Sequence, residues 1–253
     1  MTFKVERSLS SEANKATAQL FNLNEDSRGK ISIEKPQFII EAGYLGTFAS
    51  IFQGAAVEVS TTREATGFVT MISAADGFRA TRERVSASLG PGASVGDAIE
   101  KIAKSMKVNA SKAIARALAG DFDGGVKGFL QGLTLSGRAR DEMDKLARTH
   151  GFHWSIQNEE LQILNPDEAT PEKTVLLSPS TGLITSPVRV IDEKRPGAVI
   201  VRAQSLLHPG ITPGRIVEIE SVEISGQFKT QKVQHSGDTN ASTWRSDFEG
   251  VEI

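Results

Sequence analysis

Apolar and polar residues alternate along most of the first third of the chain. Stretches with this two-residue period are typical of strands, and glycine-rich or Asx-rich turns separate them. The strand candidates are Lys15–Leu23, Lys30–Glu34, Gln37–Gly43, Ala49–Thr62 and Phe68–Ala75. Asn24–Gly29 is predicted as a turn or a short helical turn, and the dipeptide Asp76-Gly77 ends the last strand. Many short strands separated by glycine turns predict a sandwich or a barrel.

The middle third of the chain changes to a helical period. Val95–Met106 places its apolar residues on one helical face. Ser94, followed three residues later by Asp97, is typical of a capping box at the start of that helix. The alanine-rich segment Ser111–Ala119 is a second helix. We therefore expect a pair of helices directly after the first β-rich block.

A third helix and a hairpin follow. Ser136 is predicted to cap a helix over Gly137–Thr149, and Gly151 stands where a C-terminal glycine belongs. Phe152–Ile156 and Leu161–Leu164 then form a hairpin around a four-residue turn.

The final third returns to the two-residue period, with joints rich in glycine, proline or asparagine. Its strand candidates are Thr174–Leu177, Val188–Asp192, Ala198–Ala203, Arg215–Ile219, Phe228–His235 and Ser242–Glu249. The chain is therefore β-rich, then helical, then β-rich again.

Composition excludes several classes of protein. The 253 residues are 39% hydrophobic and 24% charged, which is ordinary for a globular protein and argues against disorder. The absence of cysteine excludes a disulfide scaffold, thiolate metal sites and cysteine nucleophiles. A net charge of −2 argues against a dedicated nucleic-acid binder. No apolar run approaches the length of a membrane span, and Met1–Ser10 carries charge in place of a signal-peptide core.

Two clusters have the residue types of metal sites. His150 and His153 bracket a glycine at a predicted helix end, without a third ligand in register, so a surface position is the better interpretation. Asp121 and Asp123 begin like a calcium loop. Its twelfth position, however, holds Gly132 in place of a glutamate, so a polar loop is favoured. We predict no metal and no cofactor.

The catalytic motifs are equally weak. No G-x-S-x-G elbow occurs, and His235–Asp238 places His, Ser and Asp next to each other on a predicted turn, where a triad is rare. Ser88–Gly96 lacks the Gly-Lys-Ser/Thr ending of a phosphate loop, so it is predicted to be an interdomain linker. Glu41 and Glu58 could serve a glycosidase, but with one Tyr and two Trp the chain lacks a sugar-binding aromatic cluster. No catalytic residue is predicted.

One group of basic residues could serve a partner. Arg79, Arg82 and Arg84 form a short positive stripe. Such a stripe is more often a solvated face, although it could also meet an acidic partner surface.

Several longer strings resemble one family, the baseplate or tail-tip hub proteins of tailed bacteriophages. The C-terminal strings are LLSPSTGLITSPVRV (Leu176–Val190), SLLHPGITPGRIVEIES (Ser205–Ser221) and GQFKTQKVQHSGDTNASTW (Gly226–Trp244). The helix and hairpin before them, LARTHGFHWSIQNEELQIL (Leu146–Leu164), are also similar to that family. The N-terminal strings are NKATAQLFNLNEDSRGKI (Asn14–Ile31), AGYLG (Ala42–Gly46), IFQGAAVEV (Ile51–Val59) and AADG (Ala74–Gly77). The resemblance covers nearly the whole chain, in the expected order.

The resemblance implies an α+β, mainly β fold. Two tube-like antiparallel β-barrel or sandwich domains at residues 1–88 and 169–253 would flank a helical α/β segment with a hairpin at residues 89–168. It also implies a structural, non-enzymatic virion protein of the tail or baseplate, assembled in the host cytoplasm. A homotrimer would form a ring that adapts the sixfold tail tube to the threefold central spike and lines the conduit for DNA ejection.

The same resemblance implies the partners. They are the tail-tube or tube-initiator proteins and the central spike protein, with the tape-measure protein as a further candidate and DNA passing without specific contacts. Candidate mating surfaces are the loops Asn22–Gly29, Ser178–Pro187 and His208–Gly214.

Three other functions remain open. The first is a hub-like needle component of a contractile injection or secretion system. The second, from another class, is a tail-associated cell-wall hydrolase that uses Glu41 or Glu58. The third is a DNA-binding protein without sequence preference.

Overall fold

The computed structural model describes residues 1–34, 37–44, 46, 48–65, 67–123, 128–191, 199–241 and 244–253. The helices are α1 Glu25–Glu34, α2 Val95–Met106, α3 Ser111–Leu118 and α4 Ala139–His150. Parts of some predicted features lie outside the described residues, namely Leu45, the Gly124-Gly125 pair, Asp192, Ala198 and Ser242.

The strands fall into an N-terminal, a middle and a C-terminal group. The N-terminal strands are β1 Thr2–Ser8, β2 Lys15–Phe21, β3 Gln37–Ala42, β4 Ala49–Glu64 and β5 Gly67–Ala75. The middle strands are β6 Arg84–Leu89, β7 Leu133–Arg138, β8 His153–Gln157 and β9 Glu160–Leu164. The C-terminal strands are β10 Val175–Leu177, β11 Val188–Ile191, β12 Val199–Leu206, β13 Ile216–Glu220, β14 Ser225–Asp238 and β15 Arg245–Glu252. The predicted class, α+β and mainly β, is confirmed.

One large sheet joins the two ends of the chain. Its strand order is β11-β12-β15-β14-β1-β2-β5-β4-β3, and β13 pairs with both β14 and β10. The first strand pairs antiparallel with β2 on one side and with β14 on the other, where Val5 lies opposite His235. Because β1 links the N-terminal and C-terminal strands, the described strands do not close into the two barrels that the resemblance implied.

The sheet buries its apolar positions in two clusters. In the N-terminal strands the alternation of β1 turns Phe3 and Val5 inward, against Ile51 and Phe52 of β4. In the C-terminal strands Phe228, Val233 and Phe248 are less than 2% exposed and pack with residues of β10 and β13. Burial of these side chains supplies most of the driving force that fixes the register, since a slip of one residue would turn each of them outward.

The chain divides into two compact units. Unit 1 comprises Met1–Leu9, Asn14–Ala75 and Ala169–Ile253. Unit 2 comprises Ser10–Ala13 and Asp76–Glu168. Inside unit 2, helix α2 is buried along one face and packs against α3, α4 and β6. The segment Ser88–Gly96, which was predicted to be a linker, lies within unit 2 as the end of β6, a turn and the start of α2.

The capping box of α2 is confirmed. The Oγ of Ser94 accepts a hydrogen bond from the backbone N–H of Asp97 at 3.0 Å, and the Asp97 carboxylate accepts one from the N–H of Ser94 at 2.8 Å. These hydrogen bonds lower the pKa of Asp97, because they favour its charged form. The C-terminal glycine of α4 is also confirmed, since Gly151 has a left-handed φ of 78°.

Three local predictions were wrong. Ser136 does not cap a helix, because it belongs to β7, and α4 begins only at Ala139. His235–Asp238 is not a turn but the end of β14. Lys30–Glu34 is not a strand, since it lies in α1. There Asn24 Oδ1 accepts a hydrogen bond from Ser27 N at 2.7 Å, and this N-terminal cap outweighs the two-residue apolar period.

Candidate assembly surface

The hairpin formed by β4 and β5 extends beyond the core of unit 1. The last five residues of β4, at 60–64, are all exposed, so both faces of the strand meet solvent there. Pairing nevertheless continues to Glu64 opposite Gly67, and the hydroxyls of Thr61 and Thr70 lie 3.0 Å apart across the strands. We call residues 60–65 and 67–69 the arm. None of these residues is buried, and a paired ribbon that contributes so little to the core is a candidate for contact with another subunit.

The segment after β2 clasps the arm near its tip, one residue pair from the turn of the hairpin. The backbone N–H of Asn22 donates to the carbonyl of Phe68 at 2.8 Å, and Asn22 Oδ1 accepts from the N–H of Phe68 at 3.0 Å. Asn22 has a φ of 55°, which asparagine tolerates better than most residues. A Cβ on Gly67 would lie 1.9 Å from Asn22 Oδ1, so this close approach requires glycine.

A cation completes the clasp. The guanidinium of Arg28, in the second turn of α1, lies 4.0 Å from the centre of the Phe68 ring. Its Nη1 donates to the carbonyl of Leu23 at 3.1 Å, which fixes the guanidinium over the ring. The loop Asn22–Gly29, which was predicted as a mating surface, therefore runs into α1 and supports the arm.

The predicted strands Ala49–Thr62 and Phe68–Ala75 covered part of the arm, but they stopped two residues short of the end of β4 and one short of the start of β5. The β-branched pair Thr61 and Thr62 indicates that the strand continues into the arm, since such residues favour strands over turns.

The ends of the large sheet are a second candidate surface. At one end β11 exposes Val188 and Ile191, with Val199 of β12 exposed opposite Ile191. At the other end β3 exposes Ile39 and carries a bulge between Ile40 and Glu41. Edge strands offer unpaired backbone groups to another chain, and exposed apolar side chains add to that tendency.

The predicted mating loop Ser178–Pro187 lies beside β12. Its turn is closed by a hydrogen bond from Leu183 N to Ser178 O at 2.9 Å. Leu183 then bridges to Ser205, and Ile184 N donates to Gln204 O at 2.8 Å. The loop thus continues the same edge that β11 forms, with Ile184 about half exposed.

The third predicted loop, His208–Gly214, is packed inside unit 1. Pro209, Ile211 and Pro213 are buried there, so its apolar residues are not available as a mating surface. Nη1 of Arg215 donates to the carbonyl of Gly210 at 2.9 Å and closes the loop.

Two histidines hold this loop against the sheet. Nδ1 of His235 on β14 lies 2.8 Å from Oγ of Ser246 on β15, and the same Oγ accepts a hydrogen bond from the N–H of His208 at 3.0 Å. Nδ1 of His208 in turn accepts from the N–H of Gly210 at 3.0 Å. Burial, with the positive charge of Arg7 nearby, lowers the pKa of His235 to about 3, and burial also lowers the pKa of His208.

The structure separates the two glutamates of the hydrolase hypothesis. Glu41 lies on β3 opposite Ser50, whereas Glu58 lies eight residues further along β4 and opposite Ser73. At about 3.3 Å per residue that separation is about 26 Å. A glycosidase needs its two carboxyl groups within about 10 Å. Glu41 and Glu58 therefore do not form a glycosidase pair.

The other candidate residues have structural contacts. Nδ1 of His150 lies 3.2 Å from the carbonyl oxygen of Asp123, and Asp121 forms an ion pair with Arg116 at 2.8 Å. Across the described ranges, no three His, Asp or Glu side chains are placed to hold a metal ion. None of the helices described is both long and apolar enough to cross a membrane.

Comparisons with known proteins identify the fold. No protein-family model matches the chain, and no curated protein matches its sequence. Several solved structures match over nearly the whole chain.

The tail protein from Neisseria meningitidis MC58 matches 99% of this chain and 91% of its own, with a TM-score of 0.66 at 11% identity. The 43 kDa tail protein of prophage MuSo2 from Shewanella oneidensis matches 99% and 93%, with a TM-score of 0.63 at 9% identity. Escherichia coli c3393, a type VI secretion system component similar in structure to the T4 bacteriophage tail proteins gp27 and gp5, matches 100% and 73%, with a TM-score of 0.65 at 11% identity. The chain therefore has the fold shared by these phage tail proteins and this secretion component.

Proposed function

We propose that this protein is a structural, non-enzymatic hub of a phage tail or baseplate. Three copies form a ring that joins the sixfold tail tube to the threefold central spike and lines the path of the DNA. The observation that carries this proposal is the fold, which matches phage tail proteins over 99% of the chain.

The candidate assembly surface supports a role in assembly. The arm exposes a paired ribbon, and the two sheet edges expose apolar side chains, such as Ile191 at 72% exposure. Such features are a liability in a monomer, and a closed ring or a stack of rings would cover them. The tail tube would take one side of the ring and the spike the other. The tape-measure protein is a further candidate partner.

The solution mass tests the proposal first. Three chains of 27.2 kDa amount to about 82 kDa, which light scattering coupled to size exclusion separates from a monomer. We expect a trimer, visible as a ring by electron microscopy. If the chain is a monomer alone, the same measurement is repeated with the tube and spike proteins from its own gene neighbourhood as templates. A chain that neither trimerises nor binds either partner would overturn the proposal.

A secretion-system hub is the second candidate. The similarity to the Escherichia coli type VI component, at a TM-score of 0.65 over 100% of the chain, favours it as well as the tail proteins favour the first. Gene neighbours separate the two, because capsid and terminase genes indicate a phage, whereas effector and ATPase genes indicate a secretion apparatus.

The separation of Glu41 and Glu58 supports the non-enzymatic role. Zymography on peptidoglycan tests it directly, with wild type, Glu41→Gln and Glu58→Gln side by side. We expect no clearing band in any lane. A band in wild type that either substitution removes would establish a cell-wall hydrolase instead.

A further inference from the structure

The hairpin of β6 and β7 in unit 2 has two chemically distinct faces. Its inward residues pack on the core of the unit, with Val85 and Leu135 at 5% and 1% exposure. Its outward residues form three cross-strand pairs, each exposed and none acidic or apolar. They are Arg84 with Arg138, Ser86 with Ser136, and Ser88 with Thr134. We call these six residues the arginine face.

Two like charges lie directly opposite each other on this face. Arg84 and Arg138 are partners in the antiparallel register, where Cβ atoms are about 5 Å apart. Neither guanidinium forms an ion pair with any residue that the structure describes, whereas the neighbouring Glu83 pairs with Lys107 and Arg140 pairs with Asp144. Opposed like charges destabilise a hairpin. An anion that binds both guanidiniums would remove that repulsion.

Unit 1 carries a face of opposite charge. The outward residues of β13 include Glu218 and Glu220, which lie opposite Gln227 and Ser225 at the start of β14. Within the described ranges no ion pair involves either glutamate. We call these four residues the glutamate face. Glu223, in the exposed turn that follows, adds a third carboxylate, also without an ion pair in the described structure.

The two faces are complementary in charge and in hydrogen bonding. Glu218 and Glu220 are two residues apart on one face of a strand, so they lie about 7 Å apart along it. Two adjacent guanidiniums can span that distance. Each guanidinium offers a planar fork of donors that fits one carboxylate. The hydroxyls of the arginine face and the amide of Gln227 can pair around these contacts. Because the chain itself carries glutamates without an ion pair in the described structure, a protein is favoured over a nucleic acid as the partner of the arginine face.

We propose that the arginine face of one copy docks onto the glutamate face of a second copy. The contact is heterologous, because two different surfaces of the chain meet, and a heterologous contact generates a closed ring when its rotation fits. This inference rests on the proposed function, since it names the contact between the subunits of the hub.

Charge reversal with recovery tests the contact. The variants are Arg84→Glu/Arg138→Glu, Glu218→Lys/Glu220→Lys, and the chain that carries all four substitutions. The control is Lys101→Glu/Arg148→Glu, because both residues are exposed on unit 2, lie outside the arginine face and change the net charge equally. Self-association is measured by sedimentation velocity at about 0.05 M and about 0.5 M salt, and circular dichroism checks that each variant is folded.

We expect each double reversal to weaken self-association about tenfold or more at low salt, and the fourfold variant to recover it. Mixing the two double reversals should restore association of the variants in pairs, since each then meets a complementary face. It should not restore a closed trimer, because one of the three contacts would still join two copies of the same variant. The higher salt concentration should weaken the self-association of the wild-type chain, and the control variant should associate as the wild type does.

Three outcomes would overturn the contact. If reversal changes association no more than the control does, the faces do not meet, yet the ring of the proposed function survives. If the fourfold variant fails to recover and the mixture forms no pairs, charge pairing is not the cause. If the wild-type chain stays monomeric while a single-stranded or duplex DNA probe binds it and loses affinity in Arg84→Glu/Arg138→Glu, the arginine face belongs to a nucleic acid.

Discussion

The carboxylate of Asp76 accepts a hydrogen bond from the backbone N–H of Asn158, 82 residues away, at 2.6 Å. Its second oxygen accepts one from the N–H of Glu159 at 2.8 Å, and Asp76 is 1% exposed. Asn158 and Glu159 both have positive φ, as the central residues of a type I′ hairpin turn do. The first residue of the long segment of unit 2 thus fixes the turn between β8 and β9.

Replacement of Asp76 by alanine should lower the free energy of unfolding of unit 2 by about 1–3 kcal/mol, because two partly buried N–H groups lose their charged acceptor. The chain has two tryptophans, Trp154 in unit 2 and Trp244 in unit 1. Urea denaturation of a Trp244→Phe background, followed by fluorescence, therefore reports on unit 2 alone. Asp167→Ala, at an exposed aspartate that also lies in unit 2, is the matched control and should change stability by less than about 0.5 kcal/mol. Equal effects of the two substitutions would mean that the Asp76 contacts contribute little.

Gly96 should not tolerate a side chain. A Cβ there would lie 2.3 Å from the carbonyl oxygen of Ala117 in α3, so α2 and α3 would have to separate. We expect Gly96→Ala to destabilise unit 2 by about 2 kcal/mol or more, measured as for Asp76. Gly29 is also helical but has no heavy atom within 4 Å of its would-be Cβ. Gly29→Ala, in unit 1, should raise the free energy of unfolding by about 0.5–1 kcal/mol, measured by urea denaturation with circular dichroism. A loss of stability in this variant would contradict the helical assignment of α1.

The stability of the chain should depend on pH through His235. Its pKa in the folded chain is about 3, against 6.5 for an ordinary histidine, so between these values the unfolded chain binds more protons than the folded one. Stability from this group is therefore complete above about pH 6.5 and is lost as the pH falls toward 3. The lowered pKa of His208 acts in the same direction.

His235→Gln tests this dependence. The variant should show a shallower fall of unfolding free energy between pH 6 and pH 4 than wild type, by up to about 1.4 kcal/mol per pH unit. The lowered pKa values of Glu6 and Asp97 also reduce stability in acid, but they do so equally in both chains. Parallel curves for wild type and variant would show that His235 does not remain neutral in the folded chain.

Gly67→Ala should release the arm from Asn22. The added methyl group would displace the Asn22 side chain, which loses its hydrogen bond to Phe68, and alanine is strained at a φ of 145°. We expect a loss of about 1–2 kcal/mol and weaker trimer formation. Gly46→Ala is the control for backbone strain alone. Gly46 also has a positive φ, of 89°, but no atom lies within 4 Å of its would-be Cβ, so alanine there meets no side chain.

A second substitution isolates the clasp. Asn22→Gly keeps a residue that adopts a φ of 55° and removes the side chain that the methyl group added at position 67 would strike. The combined Gly67→Ala/Asn22→Gly variant should therefore lose less stability than the sum of its two parts. Additive losses would show that Gly67 and Asn22 act independently.

Elements set by neighbouring residues could be predicted from the sequence. Helix α2 has the predicted bounds, because its capping box and its apolar stripe lie within a few residues of each other. The hairpin of β8 and β9 was also predicted, with bounds that differ by one residue at both ends of β8 and at the start of β9. The candidate loop Asn22–Gly29 was correctly placed at the surface, but its role in holding the arm required the position of Phe68, 46 residues away in the chain.

The sequence by itself determined the class of the fold, the local helices and the resemblance to tail hubs, since these depend on period, caps and ordered strings. Only the tertiary structure decided that β1 pairs with β14 and that Arg84 faces Arg138. Each of these depends on which distant partner buries the most apolar surface or satisfies the backbone best. That choice is a property of the whole chain, because a strand has the same period whichever strand it pairs with.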